Sequence, residues 1–529
     1  MQVYNTQSRK KEELIPLDPP NIRMYVCGPT TYNFIHLGNA RPLVFFDTVR
    51  RYLEYRGYKV KYVQNFTDVD DKIINRALKE GEEPLKLASR YIEEYFKDAD
   101  ALGVRRADVH PRVSEHIDDI IKAITGLIAK GYAYVVDGDV YYRVEAFPGY
   151  GKLSGRTQEE MMAGARVEID ERKENPADFA LWKKAKPGEP YWESPWGKGR
   201  PGWHIECSVM AVKYLGETLD IHGGGNDLIF PHHENELAQA EALTGKPFVR
   251  YWMHNGFITV NNEKMSKSLG NFFLLRDILA KFPPDVVRFY LLSVHYRSPL
   301  DFDDGKLTEA GKALGRLKNT RLLACEFIEG GRELEKGLAQ DAFIEEVKRE
   351  KAEFIAAMDD DFNTAQALGH LFNISRLLNS YMAEADKHDE LARARVREAL
   401  HIFEELGNIL GIFMEYKEEK EDLWLDLAGI MLDVRQMLRE EKNFVLADQI
   451  RNCLYELGIV IEDTPEKSRI KAENAPPVEK VMEKVIFIRS ELRKNKDYAR
   501  ADYIRDRLKE KNILIEDTRE GARWRFAQI

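Results

Sequence analysis

At 529 residues the chain has room for three or four domains, and its 44% hydrophobic content is that of an ordinary globular protein rather than a disordered or membrane-spanning one. No run of 18 apolar residues occurs, and the first twenty residues hold no stretch of signal-peptide type, so no membrane partner is expected. A formal net charge of −10 argues against wholesale coating of nucleic acid but leaves room for a local basic patch. The four cysteines, Cys27, Cys207, Cys325 and Cys453, are too scattered for a disulfide framework. They fit a reducing compartment, and a cytoplasmic location is expected.

Residues 1–115 read as α/β. Met24 to Cys27 forms a short buried strand, Gly28-Pro29 a turn, and His36-Leu37-Gly38-Asn39 a helix start. A strand that ends in such a turn and feeds a helix is suited to hold a phosphate, because free N–H groups and the positive end of the helix dipole meet there. The stretch also brings a thiol (Cys27) and an imidazole (His36) close together. Phe45 to Arg56 reads as helix ending at Gly57, and Tyr62 to Thr67 as a strand. In the acidic run after Thr67, Asp68 or Asp70 is expected to cap the next helix, while Thr67 is a pocket candidate.

Residues 116–200 break the pattern: a helix over His116 to Lys130, β-like alternation near Tyr132–Val136 and Val140–Val144, then Gly- and Pro-bearing sequence. Residues 201–305 return to α/β. Residues 306–420 carry three- and four-residue apolar spacing over Ala352–Met358, Ala365–Tyr381 and Ala392–Leu410, which predicts a helical bundle. The region 421–529 holds a repeat: residues 438–464 match 492–518 without gaps at 14 of 27 positions, which makes duplication the reading over coincidence. Each copy reads as a helix ending at a left-handed cap (Gly458, Asn512) and a short strand, with a polar linker from Thr464 to Pro477 between copies. Residues 480–529 carry 14 Lys/Arg against 9 Asp/Glu and end in Gly521-Ala522-Arg523-Trp524-Arg525-Phe526, basic and aromatic together as in RNA-contacting segments. The opposing reading has Trp524 packed and the arginines solvated.

Three further motifs carry chemistry. Cys207 lies in Gly202-Trp203-His204-Ile205-Glu206-Cys207-Ser208. His232 and Glu236 follow Pro231 at i and i+4 on one helix face. With Cys27 they make a mixed S/N/O set suited to Zn²⁺. The helix-borne pair can equally be N-terminal charge and a satisfied histidine. An H-E-x-x-H metalloprotease box fails at Leu237. Lys264-Met265-Ser266-Lys267-Ser268 puts two ammonium groups on a Gly-flanked loop able to close over a triphosphate. His222-Gly223-Gly224-Gly225-Asn226-Asp227 offers close backbone approach, with Asp227 as a ribose acceptor.

Together, His36-Leu37-Gly38-Asn39 and Lys264–Ser268 resemble the HIGH and KMSKS motifs of class I aminoacyl-tRNA synthetases. The Cys-Gly-Pro-Thr context narrows the resemblance to the cysteinyl-tRNA synthetase family. It implies a Rossmann-like catalytic domain split by a connective insertion (1–115, 116–200, 201–305), a tRNA-binding helical bundle (306–420) and an anticodon-binding region (421–529). It implies zinc on Cys27, Cys207, His232 and Glu236, with Mg²⁺ accompanying ATP. His36, Asn39, Lys264 and Lys267 would be catalytic, with His36, Gly38, Asn39, Gly224, Asp227 and the two lysines on ATP. Thr67, Trp203 and His222 would shape the amino-acid pocket. The partners implied are ATP, L-cysteine and tRNA(Cys), and the chain is expected to act as a monomer. Asn39 departs from the motif's final histidine, keeping a donor but no cation. The duplicated module departs from the family's single copy. An ATP-dependent cysteine–amino sugar ligase would need no anticodon reader, and a non-catalytic tRNA-binding paralogue would need neither KMSKS nor metal ligands.

Overall fold

The computed structural model describes all residues except 157–171, 261–262, 265–271, 330–340, 414–419, 464–467, 473–475, 512, 519–520 and 527–529. It divides into two compact units, residues 1–414 and 415–529. No described helix is long and apolar enough to cross a membrane.

The first unit is built on four parallel strands: β1 (Asn21–Val26), β2 (Lys59–Gln64), β3 (Leu219–Gly225) and β4 (Val249–Asn255), ordered β4-β3-β1-β2. β3 is buried along nearly its whole length and so reads as a continuous run instead of an alternation. Helix α1 (Leu37–Tyr55) crosses from β1 to β2, after which the chain passes to the other side of β1 for β3. The strand order therefore reverses between β1 and β3, and their carboxyl ends open a crevice.

Between β2 and β3 the chain forms helices Asp71–Glu80, Pro84–Ala101 and Ile117–Ala129 and a separate antiparallel sheet of Ala133–Val136, Asp139–Tyr142, Phe179–Lys184 and Gly199–Pro201. Asp70 caps the first of these helices, accepting from the Lys72 N–H at 2.8 Å, while Asp68 is used elsewhere, accepting from Ser114. Helix α2 (Ile205–Leu215) then leads into β3, and α3 (Glu234–Thr244) connects β3 to β4.

After β4, the strand Ile258–Val260 pairs with Glu263–Lys264 and Leu300–Asp301. Four long helices follow: Asp304–Ile328, Ala342–Asp359, Thr364–Glu384 and Glu390–Leu410. Their apolar faces and one face of α1 share a core that includes Phe45, Phe46, Phe354 and Phe403. Arg288 and Asp47 form a fully buried pair at 2.5 Å, and the Arg288 Nε–H donates to the Leu410 carbonyl, tying α1 to the bundle's last helix. Burial opposes ionisation of Asp47, but Arg288 and Arg51 outweigh it and hold the carboxyl below its usual range.

The second unit corrects the reading of the linker between the repeats. Residues 468–472 are a strand, paired antiparallel with Ile459–Asp463. Each copy is two helices and a hairpin: Lys420–Glu440, Phe444–Glu456 and that hairpin, then Val478–Lys494, Tyr498–Glu510 and Ile513–Thr518 with Gly521–Phe526. The register repeats at the same offset of 54 seen in the sequence, with Ile461 opposite Ile470 and Ile515 opposite Trp524. Gly458 has φ +75°, the left-handed cap expected of it; Asn512 lies outside the described residues. One core serves both copies, combining Leu427, Met431 and Val434 with Val481, Val485 and Ile488. Trp524 packs against this core. Trp524 thereby takes the packed position that the opposing reading gave it.

Candidate active site

The crevice at the ends of β1 and β3 is a cleft of about 560 Å³. Cys27, His36, Gly38, Asn39, Thr67, Trp203, Cys207, Gly224, Asp227 and His232 all line it, although they come from five separate stretches of sequence. One end holds the sulfur and imidazole groups, the other the start of α1.

The sulfur end is a tight donor cluster. Cys27 follows β1, Cys207 sits in the first turn of α2, and His232 and Glu236 flank the start of α3. Their ligand atoms all lie within 4.8 Å of one another. Cys27 Sγ is 3.7 Å from Cys207 Sγ and 3.3 Å from Glu236 Oε1, which is 2.8 Å from His232 Nε2. Tetrahedral zinc with Zn–S near 2.3 Å separates two thiolates by about 3.8 Å, so the observed spacing fits that ion. A second combination, Cys27, His222, His233 and Glu236, shares two members, but His222 Nε2 is held at 2.8 Å by the other Glu236 oxygen. The four-residue set with two sulfurs is the softer donor set, as zinc prefers.

Electrostatics favour a cation there. Cys207 is lowered to about 6, first by the hydrogen bond from Cys27, while burial and then Cys207 push Cys27 up. Burial would depress His232, yet Glu236 and Cys207 outweigh it and raise it to about 10. Glu236 stays well below the carboxylate range because His232 and then His222 overcome burial. These shifts favour the charged forms of Cys207, His232 and Glu236, and a divalent ion bound there would displace protons. His204 Nδ1, 2.9 Å from His232 Nδ1, fixes that ring, and Trp203 stacks on it at 4.4 Å.

His222 is fully buried, does not line the cleft, and bonds the Glu236 carboxylate. The physical reason is its place on β3, whose residues there are enclosed on both faces.

At the other end, α1 begins with His36 as its cap and no acidic residue in its first turn, leaving the positive end of the dipole uncompensated. Asn39 Oδ1 accepts from the His36 N–H at 3.2 Å, so the group it has left for a ligand is its amide donor. Asp227 stands exposed at the mouth beside Gly224 and Gly225. Lys267 lies outside the described residues, and Lys264 is placed only as backbone of a two-residue strand. The far side of that loop is described, and it meets α1. The Leu37 N–H donates to the Phe273 carbonyl at 3.2 Å and the Leu275 N–H to that of Ile35 at 3.0 Å. Residues 273–275, which follow that loop, are thus neighbours of residues 35–37.

Several supporting residues escaped sequence reasoning. Arg41, buried on α1, donates to the carbonyls of Gly256, Phe257, His295 and Ser298, fastening α1 to the turns that precede the strands Ile258–Val260 and Leu300–Asp301. Asn65 Oδ1 accepts from the Gly28 N–H at 2.9 Å. A Cβ on Gly28 would sit 1.6 Å from the Asn65 carbonyl oxygen, so only glycine lets the chain turn into the cleft beside β2. Gly28→Ala is accordingly expected to cost about 1–3 kcal/mol by overpacking and to displace Cys27. Its check is thermal melting together with the zinc content of the purified variant, both of which should fall.

Comparison with known proteins agrees with this geometry. A model of the tRNA synthetases class I (C) catalytic domain matches residues 13–312, and a DALR domain model matches residues 353–414. A solved structure, Mycobacterium tuberculosis methionyl-tRNA synthetase in complex with methionyl-adenylate, superposes with TM-score 0.56 at 17% identity, covering 77% of this chain and 94% of that one. Sheet, cleft and these matches define a class I tRNA synthetase. Cysteine–tRNA ligase of Pelotomaculum thermopropionicum is 60% identical over 486 residues, spanning 89% of this chain and 100% of the relative. That of Anoxybacillus flavithermus is 49% identical and spans 99% of both. The chain belongs to the cysteine–tRNA ligase family.

Proposed function

We propose that this chain activates L-cysteine with ATP to cysteinyl-adenylate and pyrophosphate, then passes the cysteinyl group to the 3′-terminal adenosine of tRNA(Cys). The observation that carries this reading is one cleft holding both a two-sulfur donor cluster and a helix start suited to phosphate. The cysteine carboxylate attacks the α-phosphate of ATP in line, and no covalent enzyme intermediate is needed. The start of α1, with His36, Gly38 and Asn39, faces the phosphates and stabilises charge as it builds. Gly224 allows close approach of the nucleotide, and Asp227 accepts from the ribose. Lys264 and Lys267 neutralise the departing pyrophosphate, and Mg²⁺ accompanies ATP. Thr67 and Trp203 flank the amino acid.

Cys27, Cys207, His232 and Glu236 would hold Zn²⁺. When bound, the ion supplies a direct bond to the substrate's sulfur that a hydroxyl cannot match, whereas an apolar pocket alone separates such small differences by only about 1–3 kcal/mol. The bundle and the C-terminal unit receive the tRNA. The same reading has the chain act as a monomer in the cytoplasm. Family membership and the DALR domain match over residues 353–414 disfavour both the amino sugar ligase and the non-catalytic paralogue.

The test is ATP–pyrophosphate exchange with cysteine, with serine and with no amino acid, on protein assayed for zinc. Exchange with cysteine alone and near one zinc per chain is the expected result. Cysteine-dependent exchange followed by transfer to an amino sugar and not to tRNA would replace the second half of the assignment.

A further inference from the structure

Glu206 is a buried acid that the chemistry above does not use. It lies in the first turn of α2, immediately before Cys207, with its side chain fully enclosed. Glu206 does not line the cleft; Thr67 does. Thr67 Oγ1 and Glu206 Oε2 are 3.0 Å apart, bridging 139 residues of sequence. The other oxygen, Oε1, has no hydrogen-bond partner among the described residues. Thr67 is held from a second side, since its carbonyl accepts from both the N–H and the hydroxyl of Thr31 at 3.1 Å.

An enclosed carboxyl group with one oxygen unsatisfied destabilises the fold, and an aliphatic side chain of similar size would fill the same space at no such cost. Packing therefore does not account for an acid at this position. What the acid adds is its one bond, to a cleft-lining hydroxyl. That bond also joins the pocket wall after β2 to the turn that carries Cys207. An amino acid held by its sulfur in the donor cluster would meet Thr67 at a distance set by this bridge. We infer that Glu206 is a positioning residue for amino-acid recognition, acting by fixing the Thr67 hydroxyl relative to Cys207. The inference rests on the cysteine-activating reading above.

Steady-state pyrophosphate exchange on zinc-loaded full-length protein tests it, with Glu206→Leu, Glu206→Gln, Thr67→Val and the double variant Glu206→Leu/Thr67→Val. Glu206→Leu should raise KM for cysteine about tenfold, the size of one lost contact to a small substrate, with KM for ATP and kcat nearly unchanged. Its zinc content should stay at the wild-type level and its Tm should be equal or higher. Glu206→Gln, which keeps an acceptor for Thr67, should remain within about threefold of wild type. Thr67→Val should match Glu206→Leu, and the double variant should be no worse than either single one, since both remove the same bond. Equal shifts in KM for cysteine and ATP, loss of zinc, or additive effects would overturn the inference in favour of a structural role. Thr67→Val with an unmoved KM for cysteine would overturn it whether or not Glu206→Leu folds. Wild-type protein without cysteine-dependent exchange would count against the function itself, a distinct failure.

Discussion

Cys207→Ser is expected to abolish cysteine-dependent pyrophosphate exchange, with a loss well beyond the roughly 10–100-fold that replacing a residue supporting a metal ligand costs. The substitution is nearly isosteric at a site only 1% exposed, so packing changes little. The chemistry changes greatly. Cys207 is the sulfur whose pKa the cluster lowers, to about 6, chiefly through the hydrogen bond from Cys27. A serine hydroxyl in its place stays protonated and is a poor ligand for a soft-tolerant ion. Zinc content should fall with activity. ATP affinity, measured by competition with a fluorescent nucleotide, should be held within about twofold, because the start of α1 and Gly224 form the other end of the cleft. Parallel loss of zinc, ATP affinity and Tm would instead make Cys207 a structural residue.

Removing residues 415–529 is expected to lower kcat/KM for tRNA by about 10²–10³ while pyrophosphate exchange stays near wild type, since losing several phosphate contacts removes that much affinity at physiological salt. The basis is charge: residues 480–529 hold a surplus of five positive charges in a chain that is −10 overall. The whole unit must go, because both copies share one core. Truncation at residue 479 would strand Leu427, Met431 and Val434 without Val481, Val485 and Ile488. The truncated protein should also lose salt dependence of tRNA binding. A finer version is Arg523→Glu with Arg525→Glu, which reverses two of those positive charges and should raise KM for tRNA and leave KM for cysteine alone. Unchanged tRNA kinetics in both variants would remove this unit from the tRNA-binding role.

Local features were legible because their causes are local. The strand into Cys27, the helix start at His36–Asn39, the Asp70 cap and the Gly458 cap each follow from a few adjacent residues. The i, i+4 spacing of His232 and Glu236 did bring them to 2.8 Å. The strand over 468–472 was not legible, since a polar, proline-flanked stretch carries no strong strand signal until its partner at 459–463 is in place. The burial of His222 was not legible for a related reason: Gly-rich sequence suggests an open loop, whereas here it is the buried end of a central strand. Asn65, Arg41 and Glu206 act only through backbone or side chains more than 35 residues away, and no window of sequence contains both partners.

The sequence by itself determined the kinds of chemistry present: thiols, an imidazole and a carboxylate for a soft cation, a phosphate-binding helix start, and a duplicated C-terminal module. Only the tertiary structure decided which of these groups meet. Setting β3 beside β1 in the order β4-β3-β1-β2 carries the start of α1, the first turn of α2 and the start of α3 to one crevice. The same packing sends His222 behind Glu236 and puts Glu206 behind Thr67, while in the second unit Trp524 packs against that unit's own core. Residue type and short-range geometry are properties of neighbours along the chain. Convergence and enclosure depend on strand adjacency and shared cores, which arise between segments that are far apart in sequence.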